Sequence, residues 1–347
     1  MRKALVFTIL LIATAISAAA QEVVYSVDFN TTINNREGGD EQTPDQTFIF
    51  TRLNPEVGVK LVDDNQGTHL LKGGVVWYQP MHDGGDGYKV LPTLYYQYVN
   101  GPWDVAVGAA PRRLMHVSLP TYMWSDSLGY SEGRVRGLIV NYTRDQGAYL
   151  QGVLDWRQMQ TTRHREAFDA VVSGGVPLGR GWWMTGHLRY NHLAKRKNAP
   201  DTEGVNDDGT INPLLTYKHD GNVSWQADAG VIWQLQRCRA EDRWHTPLAF
   251  IGMGRAQWRW LEVKETVKAG KDLFPLYEQF GSQLNLGDPY YRARFYSRTD
   301  ATAHLVRNRW VGLATTLSVH VTDKTTGFWQ ELSCHIYFDN NTFRKTR

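Results

Sequence analysis

Hydrophobic and polar residues alternate with a period of two along much of the chain, most clearly between positions 222 and 236. One row of this segment, from Val223 to Leu235, is apolar and carries Trp225 and Trp233, whereas the other row is mostly polar. A period of two places the rows on opposite faces of a β-strand. The tryptophans are eight residues apart, roughly 26 Å at ~3.3 Å per residue. That spacing matches the aromatic girdles around the apolar band of a transmembrane barrel.

The same alternation predicts fourteen strands in an antiparallel all-β barrel. They are expected near 22–33, 47–62, 69–78, 89–98, 103–110, 133–142, 148–157, 165–173, 182–191, 222–236, 248–260, 291–306, 311–321 and 332–338. Twelve or sixteen strands remain possible if a short strand at 214–217 is real or if the long eleventh strand is misread.

The connections predict which end of the barrel faces outward. Long polar loops are expected at 34–46, 111–132, 195–221 and 268–290, and short turns at 63–67, 100–102, 143–147, 177–181 and 307–309. Long extracellular loops and short periplasmic turns are the usual asymmetry of outer-membrane barrels. The nine-residue segment 237–245 falls among the short turns and does not fit this scheme.

The N-terminus distinguishes a membrane barrel from a large soluble β-domain. Mean hydropathy is −0.44, which suits either class, because half of each barrel strand is polar. Arg2 and Lys3 precede an apolar run at 4–16 and then three alanines at 18–20. This order is typical of a secretory signal peptide. The sequence therefore predicts a signal peptide at 1–20 and one barrel domain at 21–347, located in the cell outer membrane.

Charge and cysteine content exclude several function classes. Removing 1–20 takes two basic residues and no acidic one, so 38 basic residues become 36 against 35 acidic. Such a balance argues against nucleic acid as a partner. Cys238 and Cys334 are the only cysteines, and neither a disulfide nor a metal site is expected from them. The acidic turns 63–67 and 82–87 fit turn chemistry better than calcium binding. No metal and no cofactor is predicted.

Charged residues on the predicted inward rows are the candidate lumen lining. These candidates are Arg189, Asp228, Arg255, Arg259, Arg292, Arg294 and Arg298. The last three share one row of the predicted twelfth strand with Asp300. Arginine binds carboxylate and phosphate well, and rings of arginine filter anions in pores. The alternative is that the arginines pair with inward carboxylates and rigidify a partly plugged lumen.

Four stretches carry a family resemblance: PTLYYQY (92–98), GAAPRRL (108–114), DWRQMQTTRHREAF (155–168) and LNLGDPYYRARFYSRTD (284–300). Over about half of its length the chain resembles Bacteroidetes-type porin-like outer-membrane proteins. The resemblance implies a single-chain outer-membrane barrel and supplies no substrate. One departure is that nine residues follow Phe338, where many such barrels end on an aromatic residue.

The expected function is passive or weakly anion-selective passage of small solutes. A closed barrel that serves as an adhesin or interaction scaffold is the alternative. An outer-membrane lipid hydrolase would need serine and histidine together on the lipid-facing rim, and the predicted outward rows have no such pair, so no enzyme is expected. The expected partners are outer-membrane lipid and small solutes in the lumen.

Overall fold

The computed structural model of the chain describes residues 22–39, 43, 45–81, 87–126, 128, 133–284 and 287–340. The predicted signal peptide and the residues after 340 lie outside the described residues. The fold and the candidate site are therefore built from the strands and from the parts of the loops within these ranges.

Sixteen of the seventeen described strands form a closed antiparallel ring, in which β1 pairs with β17. The ring consists of β1 (Glu22–Glu37), β2 (Gln46–Val62), β3 (Thr68–Pro80), β4 (Lys89–Asn100), β5 (Trp103–Pro111), β6 (Arg134–Thr143), β7 (Tyr149–Gln158), β8 (Ala167–Gly179), β9 (Trp182–Leu193), β10 (Asn206–His219), β11 (Ser224–Cys238), β13 (Leu248–Trp258), β14 (Leu261–Gly270), β15 (Phe295–Arg307), β16 (Val311–Thr322) and β17 (Thr326–Asp339). The short strand β12 (Arg243–His245) pairs with β11 outside the ring. Closure leaves no free sheet edge.

The predicted all-β barrel is confirmed, but fourteen strands was an undercount. Both reservations about the count apply: β10 occupies much of the predicted loop 195–221, and β14 follows a turn at the end of the predicted eleventh strand. With β10 in place, segment 239–247 moves to the end of the barrel that carries the long loops. The misfit at 237–245 thereby disappears. We call this end the loop end and the opposite one, with turns such as 144–148 and 259–260, the turn end.

Strand β14 escaped recognition because a charge interrupts its outward row. Val263 and Val267 lie on this row, and Glu265 stands between them. The Glu265 carboxylate accepts hydrogen bonds from Ser297 Oγ at 2.7 Å and from Thr299 Oγ1. Both hydroxyls belong to the outward row of β15. The carboxylate is thus satisfied by the neighbouring strand, and the alternation continues on both sides of it.

Strand β10 was hidden by a proline in its middle. Proline has no N–H for the strand ladder and is usually confined to sheet edges. Pro213 falls in a gap of the β10–β11 register, between the pairs Ile211–Trp233 and Leu214–Gly230, and the side-chain amide of Asn212 donates to the Val231 carbonyl at 2.7 Å. This carbonyl therefore has a donor although the proline supplies none. A Cβ on Gly230 would lie 2.1 Å from the Pro213 carbonyl oxygen, so only glycine fits opposite this step.

The same arrangement occurs a second time, between β2 and β3. Asn54 donates its side-chain amide to the carbonyl of Val75 at 2.7 Å, beside Pro55. A Cβ on Gly74 would lie 2.1 Å from the Pro55 carbonyl oxygen. An asparagine before the proline and a glycine across from it thus allow proline inside a closed sheet at two places.

The two faces of the wall differ as the alternation predicts. On the outside, Trp225 and Trp233 are 41% and 45% exposed at the two ends of the outward row of β11. Leu188 on β9 and Val172 on β8 are also exposed, whereas their inward neighbours Arg189 and Ser173 are buried. The outward row predicted for β11 is therefore confirmed, and β8 and β9 alternate in the same way. Within the described ranges, no helix is long and apolar enough to cross a membrane.

Candidate functional site

Two long connections at the loop end fold into the barrel. We call residues 112–126 inner loop A, and residues 271–284 and 287–294 inner loop B. Inner loop A crosses the interior from one wall to another. Near its start, Arg113 lies 3.7 Å from Asp28 on β1. Near its end, the indole N–H of Trp124 donates to Asp169 on β8 at 2.6 Å. The loop is thus fixed to the wall at both ends.

Inner loop B brings an apolar cluster into the same space. It contains the helix α1 (Tyr277–Leu284), and its residues Leu273 and Phe274 are fully buried. They belong to one buried cluster with Tyr122 and Met123 of inner loop A. Burial of apolar side chains away from water is the main stabilising contribution in such a cluster. The two loops therefore form a packed unit that fills part of the lumen.

Polar contacts join the two loops directly. The backbone N–H of Asp288 donates to the Thr121 carbonyl at 2.8 Å, and that of Asp126 donates to the Asp288 carboxylate at 2.9 Å. Arg298 on β15 lies beside this junction, with Nη1 2.5 Å from Asp126 and 3.8 Å from Asp288. Its Nε lies 2.9 Å from Asp300. We call Arg298, Asp126, Asp288 and Asp300 the Arg298 cluster.

Asp288 is the titrating group of this junction. Its side chain is buried, and this burial, reinforced by the nearby Asp126, raises the pKa of Asp288 to about 8. Loss of hydration disfavours a buried carboxylate, and a second carboxylate disfavours it further. Burial and the neighbouring Asp126 therefore favour the protonated, neutral form of Asp288 beside Arg298.

We expect the folded protein to lose stability as the pH rises toward 9. The pKa of Asp288 lies above its ordinary value of 3.8. Its contribution is therefore fully present below pH ~4 and is lost as the pH rises through about 8. Chemical unfolding at pH 6 and pH 9 measures the loss. Asp288→Asn should flatten this pH dependence, and Asp64→Asn in the exposed turn 63–67 should not. Equal slopes in the two variants would contradict the assignment.

Two of the three candidate arginines of the predicted twelfth strand do not lie on a strand. The predicted twelfth strand began at 291, but β15 begins at Phe295, because residues Pro289–Arg292 form a 3-10 turn. Arg292 ends this turn and pairs with Glu278 of α1 at 2.5 Å. Arg294 lies between the turn and β15. The prediction of three arginines on one inward row is therefore wrong, and Arg298 alone of the three lies on the strand.

The remaining candidates divide between one turn and the inner wall. Arg259 lies in the β13–β14 turn with φ +49°, and its guanidinium is 5.3 Å from the Trp258 ring centroid. The predicted strand 248–260 ends at Trp258, so Arg259 has no place on an inward row. Arg255 on β13 donates to the Glu262 carboxylate at 2.9 Å and is about half exposed.

Arg189 and Asp228 both lie on inward rows with polar partners. Arg189 is fully buried and donates from Nε to Asp169 at 2.9 Å. Asp228 accepts from Gln226 Nε2 at 2.9 Å and from the Thr216 hydroxyl. These partners lie on adjacent strands or on the same strand. Most inward charges of the candidate set are therefore held by wall partners of opposite charge or by hydrogen bonds.

A cavity of about 210 Å³ remains beside the Arg298 cluster, between the wall and Asp126 of inner loop A. Its lining consists of Asn34, Asp126, Lys264, Arg298, Asp300, Thr302, Thr316, Ser318, Trp329 and Glu331. Except for Asp126, these residues lie on the inward rows of β1 and β14 to β17. The cavity is polar and carries charges of both signs. We take it as the candidate functional site.

Sequence reasoning found part of this lining and missed the rest. Arg298 and Asp300 were recognised on one inward row, whereas Lys264 lay in a strand that was not recognised. Asp126 and Asp288 lie in loop segments without any periodicity. The alternation of Leu261, Val263, Val267 and Ala269 is the signal that would have revealed β14 and Lys264.

A serine–histidine pair lies inside the barrel. Ser173 Oγ and His187 Nδ1 are 2.8 Å apart on neighbouring inward rows of β8 and β9. A hydrolase acting on membrane lipid needs such a pair on the outward rim, and this pair has the opposite placement. Cys238 and Cys334 are both free thiols. Within the part of the chain that the structure describes, no group of three or more potential ligands could hold a metal ion.

Comparison with solved structures finds the same architecture in outer-membrane porins. The chain is similar to OpdL of Pseudomonas aeruginosa, with a TM-score of 0.56 and 8% identity over 92% of this chain and 99% of that one. The outer membrane protein opdK from the same organism gives 0.55 and 8% over the same shares. A triple mutant of the Rhodopseudomonas blastica porin gives 0.50 and 12% over 91% and 100%. At such identity the similarity shows the fold.

No family model matches the chain, and a search of curated proteins finds no match either.

Proposed function

We propose that the chain is an outer-membrane channel of the porin type that passes small solutes through a partly filled lumen. The observation that carries this proposal is a closed barrel with an apolar, aromatic-ended outside and a polar, charged inside that retains a cavity. An outward apolar band suits lipid, and a polar interior suits water and solutes. The fold shared with the porins supports it. The proposal is passage of solutes and not hydrolysis of lipid.

The finer parts of the proposal rest on the sequence. We propose that the chain is a Bacteroidetes-type porin-like protein and that residues 1–20 are a cleaved signal peptide. Asp228, Arg255 and Arg298 are proposed as lumen-lining residues, whereas Arg189 lies on the inward row but is fully buried against Asp169. A simple anion filter made of Arg292, Arg294 and Arg298 has little support, because Arg298 is surrounded by carboxylates and Arg292 pairs with Glu278. The lining of the cavity carries charges of both signs.

Single-channel recording in planar bilayers tests the proposal. Purified mature protein, refolded in detergent, should give discrete conductance steps, and the heat-unfolded sample should give none. Folding is verified by circular dichroism of the same sample. A folded barrel that inserts into vesicles and does not conduct would overturn the channel proposal.

The second candidate is a closed barrel that acts as an interaction scaffold. It is favoured by one observation, the two inner loops packed inside the lumen and hydrogen-bonded to the wall. Failure to conduct in the bilayer experiment would support this candidate.

The proposed orientation predicts where protease cuts intact cells. Arg163, Arg196 and Lys197 are exposed in short connections at the loop end, and exposed loop tips are preferred proteolysis sites. We expect trypsin to cut there and to spare Arg144 in the turn-end segment 144–148. Mass spectrometry of the fragments identifies the sites. Permeabilised cells, in which both ends are accessible, are the control, and earlier cleavage at Arg144 in intact cells would invert the orientation.

A further inference from the structure

We infer that the turn end of the barrel carries a binding surface for the headgroups of anionic phospholipids. The surface consists of three arginines and three tryptophans at the tips of two neighbouring hairpins, β13–β14 and β15–β16. We call it the turn-end patch, and its members are Arg259, Arg307, Arg309, Trp258, Trp260 and Trp310. The inference goes beyond passage of solutes and requires only that the outside of the barrel faces lipid.

The arginines of the patch are exposed, and their charges are available to a ligand. Within the described ranges, none of the three forms a salt bridge or a side-chain hydrogen bond, and Arg259 and Arg309 contact aromatic rings. On the inner wall, by contrast, Arg189 and Arg298 pair with carboxylates. Arginine presents a planar fork of N–H donors that matches phosphate. Three such groups at one edge of the barrel therefore favour a phosphate-bearing ligand.

Two of the guanidinium groups are positioned by tryptophan rings. That of Arg259 lies 5.3 Å from the centroid of the Trp258 ring, and that of Arg309 lies 4.5 Å from the centroid of the Trp310 ring. Attraction between a cation and the face of an aromatic ring stabilises this geometry. Stacking occupies the face of a guanidinium and leaves the N–H groups at its edge for a ligand. The two arginines are thus held in place without losing the donors that a phosphate needs.

The rings place these cations at the level of the lipid headgroups. Trp258 is the last residue of the outward row of β13 and is 44% exposed. Trp310 is 41% exposed, and its ring centroid is 6.4 Å from that of Phe338 on the outward row of β17. Tryptophan is enriched at membrane–water interfaces, where its ring lies among the headgroups. A phosphate of the adjoining leaflet therefore lies within reach of the patch.

Apolar surface beside the arginines distinguishes a lipid from free phosphate. Leu305 and Val306 directly precede Arg307 and are 58% and 38% exposed. Val306 pairs with Leu313 on the outward face of the wall. An acyl chain can cover these side chains while the phosphate contacts the arginines, and removal of apolar surface from water is favourable. The ligand that the patch fits is therefore a phospholipid.

The turns do not need arginine for their own geometry. Arg259 has φ +49° in a two-residue turn, a position at which asparagine, aspartate or glycine is usual. In the β15–β16 turn, Asn308 Oδ1 accepts hydrogen bonds from the backbone N–H groups of Trp310 and Val311, each at 2.8 Å. Arg309 adds no side-chain hydrogen bond to this turn among the described residues. A ligand therefore explains both arginines better than the fold does.

Few carboxylates oppose the patch. The described residues of its two turns and of the adjacent β10–β11 turn contain one carboxylate, that of the exposed Asp220, against three arginines. Among the described residues on the outward rows of β13 to β16, Glu265 is the only carboxylate. It is four residues from Leu261, ~13 Å at ~3.3 Å per residue, which exceeds the Debye length of ~8 Å at physiological salt. The patch is therefore net positive and favours an anionic headgroup over a zwitterionic one.

Native mass spectrometry of the delipidated barrel in nonionic detergent tests the inference, because it counts bound lipids. The probes are phosphatidylglycerol, which is anionic, and phosphatidylcholine, which is zwitterionic, with identical acyl chains. The wild-type protein should bind its first phosphatidylglycerol at a concentration about tenfold lower, since each cation near an anionic lipid surface contributes about fivefold. Glycerol 3-phosphate in large excess should not displace this lipid, because it lacks acyl chains.

Two variants with the same change of charge make the test specific. The test variant carries Arg259→Gln, Arg307→Gln and Arg309→Gln. It should bind the two lipids equally. The matched control carries Arg163→Gln, Arg196→Gln and Lys197→Gln, in exposed connections at the loop end. It should keep the preference for phosphatidylglycerol. Circular dichroism verifies that both variants are folded.

The outcomes separate this inference from the proposed function. Equal binding of the two lipids by the wild-type protein, or an unchanged preference in the test variant, refutes the lipid surface. Loss of the preference in the control variant as well would show a general effect of charge and would refute it too. Displacement by glycerol 3-phosphate would indicate a site for free anions and would overturn the lipid assignment. Since binding is counted in detergent, none of these results depends on conduction, and the test variant should keep the conductance steps of the wild-type protein.

Discussion

Replacing Ala229 with arginine is expected to lower the free energy of unfolding in a lipid bilayer by ~2–4 kcal/mol. Ala229 is exposed on the outward row of β11, midway between Trp225 and Trp233. If these tryptophans mark the two membrane interfaces, Ala229 lies near the middle of the apolar band. A guanidinium there loses its hydration or has to stretch toward an interface.

The matched control is an arginine on the inward row of the same strand. Gln226 is a suitable position, because its amide already contacts Asp228 at 2.9 Å, which an arginine can pair with. Gly230 is unsuitable, since any Cβ there meets the Pro213 carbonyl oxygen. Urea titration of both variants in vesicles measures the difference. Equal losses at the two positions would refute lipid contact at Ala229.

Replacing Arg298 with glutamine is expected to destabilise the fold by ~3–5 kcal/mol, because removal of one partner leaves buried charge uncompensated. Arg298 is 14% exposed and contacts Asp126 and Asp300 within 3 Å. The variant should also raise single-channel conductance, since Arg298 holds the junction of the two inner loops against β15.

An exposed ion pair provides the comparison for this variant. Arg196 pairs with Glu203 at 2.9 Å and is 48% exposed, so Arg196→Gln should cost about 1 kcal/mol or less. Unfolding titrations give the stability, and bilayer recordings give the conductance. An Arg298→Gln protein with normal stability and normal conductance would show that the cluster does not hold the loops. Double replacement with Asp126→Asn should recover part of the lost stability.

The barrel could be predicted from sequence because lipid and water impose opposite demands on alternate residues. The outward row of β11 shows this demand without interruption, so its outward face was predicted correctly. Strands β10 and β14 violate it locally, at Pro213 and Glu265. In both cases a neighbouring side chain supplies the missing hydrogen-bond partner. Such tertiary compensation has no periodic signal in the sequence.

The candidate site was harder to predict because the Arg298 cluster joins the wall to residues of both inner loops. Asp126 and Asp288 both lie beside Arg298. Asp126 is 172 residues away from Arg298 along the chain, and no local pattern in the sequence predicts this contact. In the sequence, Arg292 and Arg294 continue the alternation of β15. The 3-10 turn at Pro289–Arg292, with its buried tyrosines, removes them from the strand.

The asparagines that precede Pro213 and Pro55 connect the strand pairing of the barrel wall to groups inside the barrel. The amide of Asn212 donates to the wall through its nitrogen, while its oxygen accepts from the Tyr122 hydroxyl of inner loop A. In the same way Arg134, where the chain returns to the wall after inner loop A, donates to the oxygen of Asn54. Inner loop A therefore acts as a tethered ligand of its own barrel, held near its site at high effective concentration. Because loop docking and strand pairing are thermodynamically linked, docking of inner loop A stabilises the pairing of β10 with β11. Release of the loop weakens that pairing.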